Sequence, residues 1–408
     1  MTQAHSAGPI PDHVPPHLIE PDFPLVSGHF TLENPFDRIV PEACEGPDIV
    51  YVPNMMHGGR AHSWVLRRHD DIQAVYHDVE HFSNRDFSAL GKLIGETWDL
   101  VPAEQDAPQH TFYRQLLNPI FSPGAMARMD DVVRKAAQDC LAGIEGRTSC
   151  DYIHDFAFPF PVGVVLDLMD LPRARMREFQ EWEMMIIQSG DLDTIKRGIK
   201  SIADYLRGVI EERKANPGSD LISIAITAEV NGRRMNDDEL MGYAFNFYLG
   251  GLDTVTAHTA NFVRHLATHP DQQRYLRENP AQIRTAVEEF MRAFAAVTTY
   301  RTCSKETRIR GVTIKPGDRV AMITTLAGRD GQVYDDPHSV RLDRNPRHLS
   351  FAVGPHHCLG VHLARRELRI ALEETFKAIP EFRLDPDVPI ESQAGVIIQP
   401  RNLPLVWG

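Results

Sequence analysis

The longest run of apolar residues at helical spacing lies between Asn236 and His269 and sets the scale of the fold. Asn236 can cap a helix, Asp237 and Asp238 fall in its first turn, Glu239 stands at the capping-box position, and Pro270 stops the run. At the helical rise per residue, roughly 32 residues span about 48 Å, enough to cross a whole domain. The middle of this run reads Gly250-Gly251-Leu252-Asp253-Thr254. Each interior glycine costs about 1 kcal/mol relative to alanine, so two together need a reason. One is a bulky ligand lying flat against a wall without side chains; another is a packing kink. Thr254 can also bond back to the Gly250 carbonyl and open the helical ladder locally.

Elsewhere the pattern predicts mostly helices with small sheets. Residues 49–52 and 63–66 alternate as strands, and 70–78 read as a helix ending near His81-Phe82-Ser83. From 87 to 102 periodicity is weak, although Phe87, Leu90, Leu93, Ile94, Trp98 and Leu100 require burial. A helix over 106–114 puts His110 and Arg114 on one face, a pair suited to gripping an anion or to lying in solvent. Two helices fill 173–214, broken near Ser189-Gly190-Asp191 and closed by Asn216-Pro217-Gly218. Asn279 and Pro280 start another helix, on which Glu289 and Arg292 can pair. Residues 307–309, 312–314 and 319–326 alternate as strands around Lys315-Pro316-Gly317-Asp318, and 390–406 reads as a further small sheet.

Composition narrows the class. The 408 residues are 42% hydrophobic and 24% charged, enough for an extensive core, and no linker or internal repeat marks a boundary. The expected division is a proline-rich arm over 1–34, with Pro9, Pro11, Pro15, Pro16, Pro21 and Pro24, and one domain over 35–408. A net charge of −13 argues against a general nucleic-acid binder. No apolar run approaches the roughly 18 to 20 residues that cross a bilayer, and the arm is neither signal peptide nor anchor, which points to a cytoplasmic protein without membrane contact. Cys44, Cys140, Cys150, Cys303 and Cys358 are irregularly spaced without a CxxC pair, so neither a disulfide framework nor a zinc site is indicated.

Cys358 stands apart. Gly354 and Gly360 bracket it, and Leu363, Ala364, Leu368, Ala371 and Leu372 recur at helical spacing behind it. At a helix N-terminus the free N–H groups and dipole favour the thiolate, a good axial ligand for haem iron; a buried structural cysteine is the plainer alternative. The run Phe351-x-x-Gly354-x-x-x-Cys358-x-Gly360 resembles the haem-binding signature of the cytochrome P450 family. Gly250-Gly251-x-Asp253-Thr254 resembles its oxygen-activating stretch, and Glu289-x-x-Arg292 its second signature.

The resemblance implies a mainly α, single-domain cytochrome P450 fold with haem b between the long central helix and the helix behind the cysteine. It makes Cys358 the iron ligand, Asp253 and Thr254 catalytic, and Gly250, Gly251, Phe351 and Gly360 part of the cofactor seat. His110, Arg114, Arg301 and His356 match propionate-binding positions. Arg344 is the candidate third member of the Glu289–Arg292 network, a structural support for the cysteine loop. The pair of helices over 173–214 would be the lid over the substrate, and 87–102 the pocket roof.

The implied reaction inserts one atom of O2 into a C–H bond and releases the other as water, with electrons originally from NAD(P)H. No Rossmann or flavin fingerprint is present, so electrons must come from separate proteins. The expected chain is a 2Fe-2S ferredoxin with its reductase, docking on Arg114, Arg365, Arg366 and Arg369 of a monomer. A peroxide-driven peroxygenase and a haem-thiolate sensor are the alternatives, and Asp253-Thr254 disfavours the former. Residues 249–254, 359–367 and 403–407 are most similar to the bacterial camphor-hydroxylase branch. There, Trp98 stands where that branch has a tyrosine bonding the camphor ketone. Its indole N–H points differently from a phenol hydroxyl, so camphor is expected to be poor. With Phe87, Leu249, Val297 and Ile397 apolar and Asn246 polar, the expected substrate is a small hydrophobic terpenoid or norisoprenoid bearing one oxygen function.

Overall fold

The computed structural model describes residues 10–408 apart from 57–60, 188 and 190. Pro9 of the arm and Gly190 of the expected helix break therefore lie outside the described residues. The helices that frame the site are, in chain order, α1 (Gln109–Ile120), α2 (Pro159–Leu168), α3 (Met176–Ile187), α4 (Leu192–Ala215), α5 (Asp237–Leu252), α6 (Thr254–Thr268), α7 (Ile283–Ala293) and α8 (Val361–Ala378).

The expected long helix is two. The capping box at Asn236 and Glu239 forms with both reciprocal bonds, but the helix stops at Leu252 and restarts at Thr254. The break falls at Asp253, directly after the glycines, where helix propensity is weakest. Most of α6 and much of α5 are buried around their circumference, which places the pair through the middle of the core.

Beside the helices lies a five-stranded sheet of β1 (Ile49–Met56), β2 (Ala61–Leu66), β3 (Phe82–Ser83), β4 (Thr298–Cys303) and β5 (Arg319–Ile323), in the order β1-β2-β5-β4-β3. Strand β5 runs parallel to β2 and antiparallel to β4, with Val320 opposite Arg301. The expected strand over 319–326 is shorter, because Thr324–Gly328 forms a helical turn. Thr324 Oγ1 donates to the Val297 carbonyl at 2.6 Å, so the side chain anchors the turn in place of a ladder. Arg301 lies within a strand that the sequence reading left out.

Local detail departs in three further places. Pro280–Gln282 is a 3-10 turn ahead of α7, and Leu90–Leu93 is a short helix inside the segment expected to be irregular. The C-terminal stretch serves two sheets: Ser392–Ala394 pairs with His29–Thr31 and Gln399–Pro400, whereas Pro404–Trp407 pairs with Phe382–Leu384 and Ser149–Asp151. Through the first of these, residues 29–31 are tied to the body, and Phe23 and Leu25 are buried in its core.

Candidate active site

The cysteine loop is fixed by its own backbone. Cys358 N–H donates to the Phe351 carbonyl at 2.9 Å and His357 N–H to the Gly354 carbonyl at 3.1 Å. Gly354 has φ of +75°, and a Cβ there would meet the Tyr76 carbonyl oxygen at 2.7 Å, so only glycine fits. Behind the loop, α8 begins at Val361 with Gly360 as its N-cap. Burial pushes the Cys358 thiol up, and the Gly360 N–H, Arg114 and Arg365 oppose it without winning. The Gly360 N–H at the helix start thus favours the thiolate, as expected of a helix N-terminus, against the burial that disfavours it. A cation at the sulfur would supply the missing charge.

Cys358 and Gly360 line, together with Gly250 and Thr254, a cavity of about 340 Å³. It continues into a chamber of about 230 Å³ lined by His110, Arg114 and Arg301, the two sharing Tyr76, Asn246, Thr299, His356 and Cys358. Phe351 lines the larger part. In the chamber the His110 and His356 rings lie 3.9 Å apart. Burial is the main cause that lowers His110 to about 4 and His356 to about 2, so both are neutral near pH 7. Buried Arg301 sits 5.3 Å from the Tyr76 ring, and among the described residues its side chain donates only to the Tyr300 carbonyl, at 2.8 Å. Among the described residues neither Arg301 nor Arg114 has a carboxylate partner within 4.0 Å. An unpaired, half-desolvated cationic end is built for an anionic guest. A flat cofactor with a metal near Cys358 and acid groups at the arginine end fits these residues, as haem does.

The two glycines divide their work. A Cβ on Gly250 would meet nothing within 4 Å and would stand in open cavity. A Cβ on Gly251 would meet Val165 Cγ2 at 2.4 Å, so that glycine also admits α2 against α5, a packing demand the sequence reading had set aside in favour of the cofactor. Thr254 lines the cavity, and its Oγ1 reaches back to the Gly250 carbonyl at 3.4 Å, as the spacing predicts.

Asp253 does not share that cavity. Its buried carboxyl opens onto a separate cleft of about 430 Å³, with Glu183 of α3 on the same walls. Burial raises Asp253 to about 6, partly offset by Gln399, and burial together with Asp253 holds Glu183 well above the usual range. The acid and the alcohol thus face opposite sides of the helix break.

Beneath the loop, Arg292 and Glu289 pair through two bonds of 2.7 and 2.8 Å with both side chains fully buried. Arg292 also donates to the carbonyls of Gly328, Pro337 and Ser339, and the Arg341 N–H donates to Glu289. Arg344 approaches Glu289 at 3.7 Å, bringing the three expected residues together.

Of the expected substrate contacts, Phe87 lines the chamber, Val297 the larger cavity and Asn246 both. Trp98 lines neither. Its indole N–H donates to Glu96 at 2.6 Å and its ring lies 4.8 Å from that of Phe245, so it is a wedge between the roof segment and α5. Leu249 and Ile397 also lie off the cavity walls: Leu249 is packed into the main core, and Ile397 clusters with Ala257 and Ala296. Val165, Leu168, Leu221, Phe247 and Thr299 line the cavity instead. Thr299 lies on β4 and the other four on helices, and no spacing singled them out. Two further wall residues, His258 and Glu367, each keep a buried atom without a hydrogen-bond partner among the described residues, and burial raises Glu367 to about 8.

The expected basic face is altered too. Arg365, Arg366 and Arg369 line one surface groove with Arg284 and His362, but Arg365 pairs with Glu288, and Arg366 and Arg369 with Asp130. Arg114 is turned inward, donating to the His357 carbonyl at 2.9 Å.

A family model for cytochrome P450 matches residues 162–405. The chain is 33% identical over 407 residues to a probable cytochrome P450 127A1 of Sinorhizobium fredii (strain NBRC 101917 / NGR234), covering 98% of this chain and 97% of that one. The crystal structures of cytochrome P450 CYP101C1 and of CYP101J2 superpose with TM-scores of 0.85 and 0.84, each at 30% identity, covering 98% of this chain and 100% of theirs. Among the described residues no helix is long and apolar enough to cross a membrane.

Proposed function

The chain belongs to the cytochrome P450 family of haem b monooxygenases, and from that premise we propose that it hydroxylates a small hydrophobic substrate with Cys358 as the iron ligand and electrons from a ferredoxin. The observation that carries this reading is the cavity itself, with Cys358, Gly250 and Thr254 on its walls and unpaired arginines at one end. When bound there, the haem supplies O2 activation and C–H oxidation. This chain's residues do the rest. Arg301, Arg114, His110 and His356 would hold the haem's acid groups, and Gly250, bare of a side chain, would leave room for it. Thr254 Oγ1 donates a proton into the cavity, and Asp253 replenishes it from the opposite side of the break.

The wall residues Val165, Leu168, Leu221, Phe247 and Val297 favour an apolar guest, with Asn246 and Thr299 offering the polar contact. A terpenoid or norisoprenoid with one oxygen function suits that lining. Because Trp98 is committed to Glu96, specificity rests on Asn246 and not on Trp98, and camphor is no longer disfavoured by the indole. For the redox partner, the groove over Arg284, His362, Arg365, Arg366 and Arg369 supports an acidic 2Fe-2S ferredoxin with its reductase, although Asp130 and Glu288 soften its charge. We place residues 35–408 in the catalytic domain of a monomer in the cytoplasm, where NAD(P)H is available.

Product analysis with a reconstituted ferredoxin chain and a terpenoid panel tests the reading. Wild type should couple NADH to hydroxylated product, and Thr254→Ala should keep consuming NADH while yielding less product and more hydrogen peroxide. Product from peroxide alone would favour a peroxygenase; binding shifts without product under any donor would favour a sensor.

A further inference from the structure

We propose that Glu183 and Asp253 form a carboxyl pair holding one proton between them, with Glu183 as the donor that reprotonates Asp253. This deepens the reading above and rests on Asp253 serving the active site. Glu183 comes from α3 and Asp253 from the break between α5 and α6, and both line the same cleft. Glu183 is 3% exposed and Asp253 6%, and Glu183 Oε1 and Asp253 Oδ2 each lack a hydrogen-bond partner among the described residues.

Among the described residues the cleft offers no counter-ion to either group. The charged or titratable side chains on its other walls are His154, Glu391 and Arg401. Arg401 pairs with Glu391 at 2.9 Å and His154 with Asp151 at 2.9 Å, so the available cations are already engaged. Gln180, Thr256, Gln399 and Asn402 complete the polar lining without charge. Two buried carboxyls that feel one another and have no cation cannot both ionise, and their protons leave in two separated steps that belong to the pair. Burial raises Asp253, and burial together with the Asp253 charge holds Glu183 well above the usual carboxylate range. Near pH 7 the pair therefore still holds a proton.

The step balances without electron transfer. The one proton of the pair moves from Glu183 to Asp253 Oδ2, Asp253 passes it inward, and Glu183 takes a replacement from water at the cleft mouth. Arg401 and Glu391, with side chains 39% and 46% exposed, mark that mouth. Because Glu183 rides on α3, one of the two helices expected to act as the lid, the donor and its acceptor belong to separately anchored elements.

Infrared titration of the resting holoenzyme tests the pair without turnover. Wild type should retain a protonated-carboxyl C=O band above pH 7 that Glu183→Gln removes, and Asp253→Asn should shift the midpoint of that band to lower pH. Glu367 contributes a separate band that both variants leave unchanged. An absent Glu183 band, or a midpoint that Asp253→Asn does not move, overturns the pair, and the second arm stands even if Glu183→Gln does not fold. In turnover, Glu183→Gln should slow product formation about tenfold, less than loss of a general acid in direct contact, with a larger solvent isotope effect. If Asp253→Asn is slow and Glu183→Gln is not, only the pair is wrong; if Asp253→Asn is fully active, the underlying reading fails.

Discussion

Adding one methyl group at each of two adjacent glycines should have opposite consequences. At Gly251 an added Cβ lies 2.4 Å from Val165 Cγ2 and 2.8 Å from its Cγ1, so α2 and α5 must separate or Val165 must leave its rotamer. Overpacking of this kind costs about 1–3 kcal/mol, against about 1 kcal/mol returned by replacing a helical glycine. Gly251→Ala is therefore expected to lose up to about 2 kcal/mol on balance. At Gly250 the Cβ meets nothing within 4 Å, so Gly250→Ala keeps the propensity gain of about 1 kcal/mol. Its methyl projects into the cavity and should weaken cofactor retention. Urea unfolding followed by far-UV circular dichroism, on protein with and without its cofactor, measures both. Val165→Ala should rescue Gly251→Ala with a coupling energy of about 1–2 kcal/mol and leave Gly250→Ala unchanged. Equal stabilities for the two glycine variants, or rescue of Gly250→Ala by Val165→Ala, would refute the division of labour.

Arg292→Ala leaves buried Glu289 with only the more distant Arg344 and the Arg341 N–H and frees three carbonyls, so a loss of about 3–5 kcal/mol is expected. Purified yield and the fraction binding haem should collapse together, and a normally loaded variant would contradict the supporting role. Asp253 has a folded pKa of about 6, raised from 3.8, so the native state binds the extra proton, and this group's stability contribution is present at low pH and lost as pH rises through that window. Asp253→Asn should gain on wild type between pH 4 and 7, by on the order of 2–3 kcal/mol at the top of the range, in paired denaturant titrations; a constant difference across pH would refute the shift. Trp98→Phe should leave substrate-induced spin shifts nearly intact, whereas Asn246→Leu should reorder them across a terpenoid panel.

Where one residue type meets a local demand, the sequence was readable in detail. Gly354 needs a positive φ, the Asn236 and Glu239 side chains cap their helix, and Thr254 reaches the Gly250 carbonyl four residues back. Those three rules act over a few residues and survive folding unchanged. What depended on direction across space was hidden. Trp98 could not be seen turning its N–H to Glu96, a carboxylate itself held by Arg207 of α4 at 2.9 Å. Arg365, Arg366 and Arg369 read as free charge because Glu288 and Asp130 lie far away in sequence. Glu183 looked like one more polar position on a helix, and only the packing of α3 over the break at Asp253 buries it beside a second carboxyl.

The most direct test of the account is the absorption spectrum of the reduced protein with carbon monoxide. Thiolate ligation by Cys358 predicts a Soret band at about 450 nm for freshly folded protein, absent in Cys358→Ala. A band at about 420 nm in the fresh wild type, or an unchanged spectrum in the variant, would contradict Cys358 as the iron ligand.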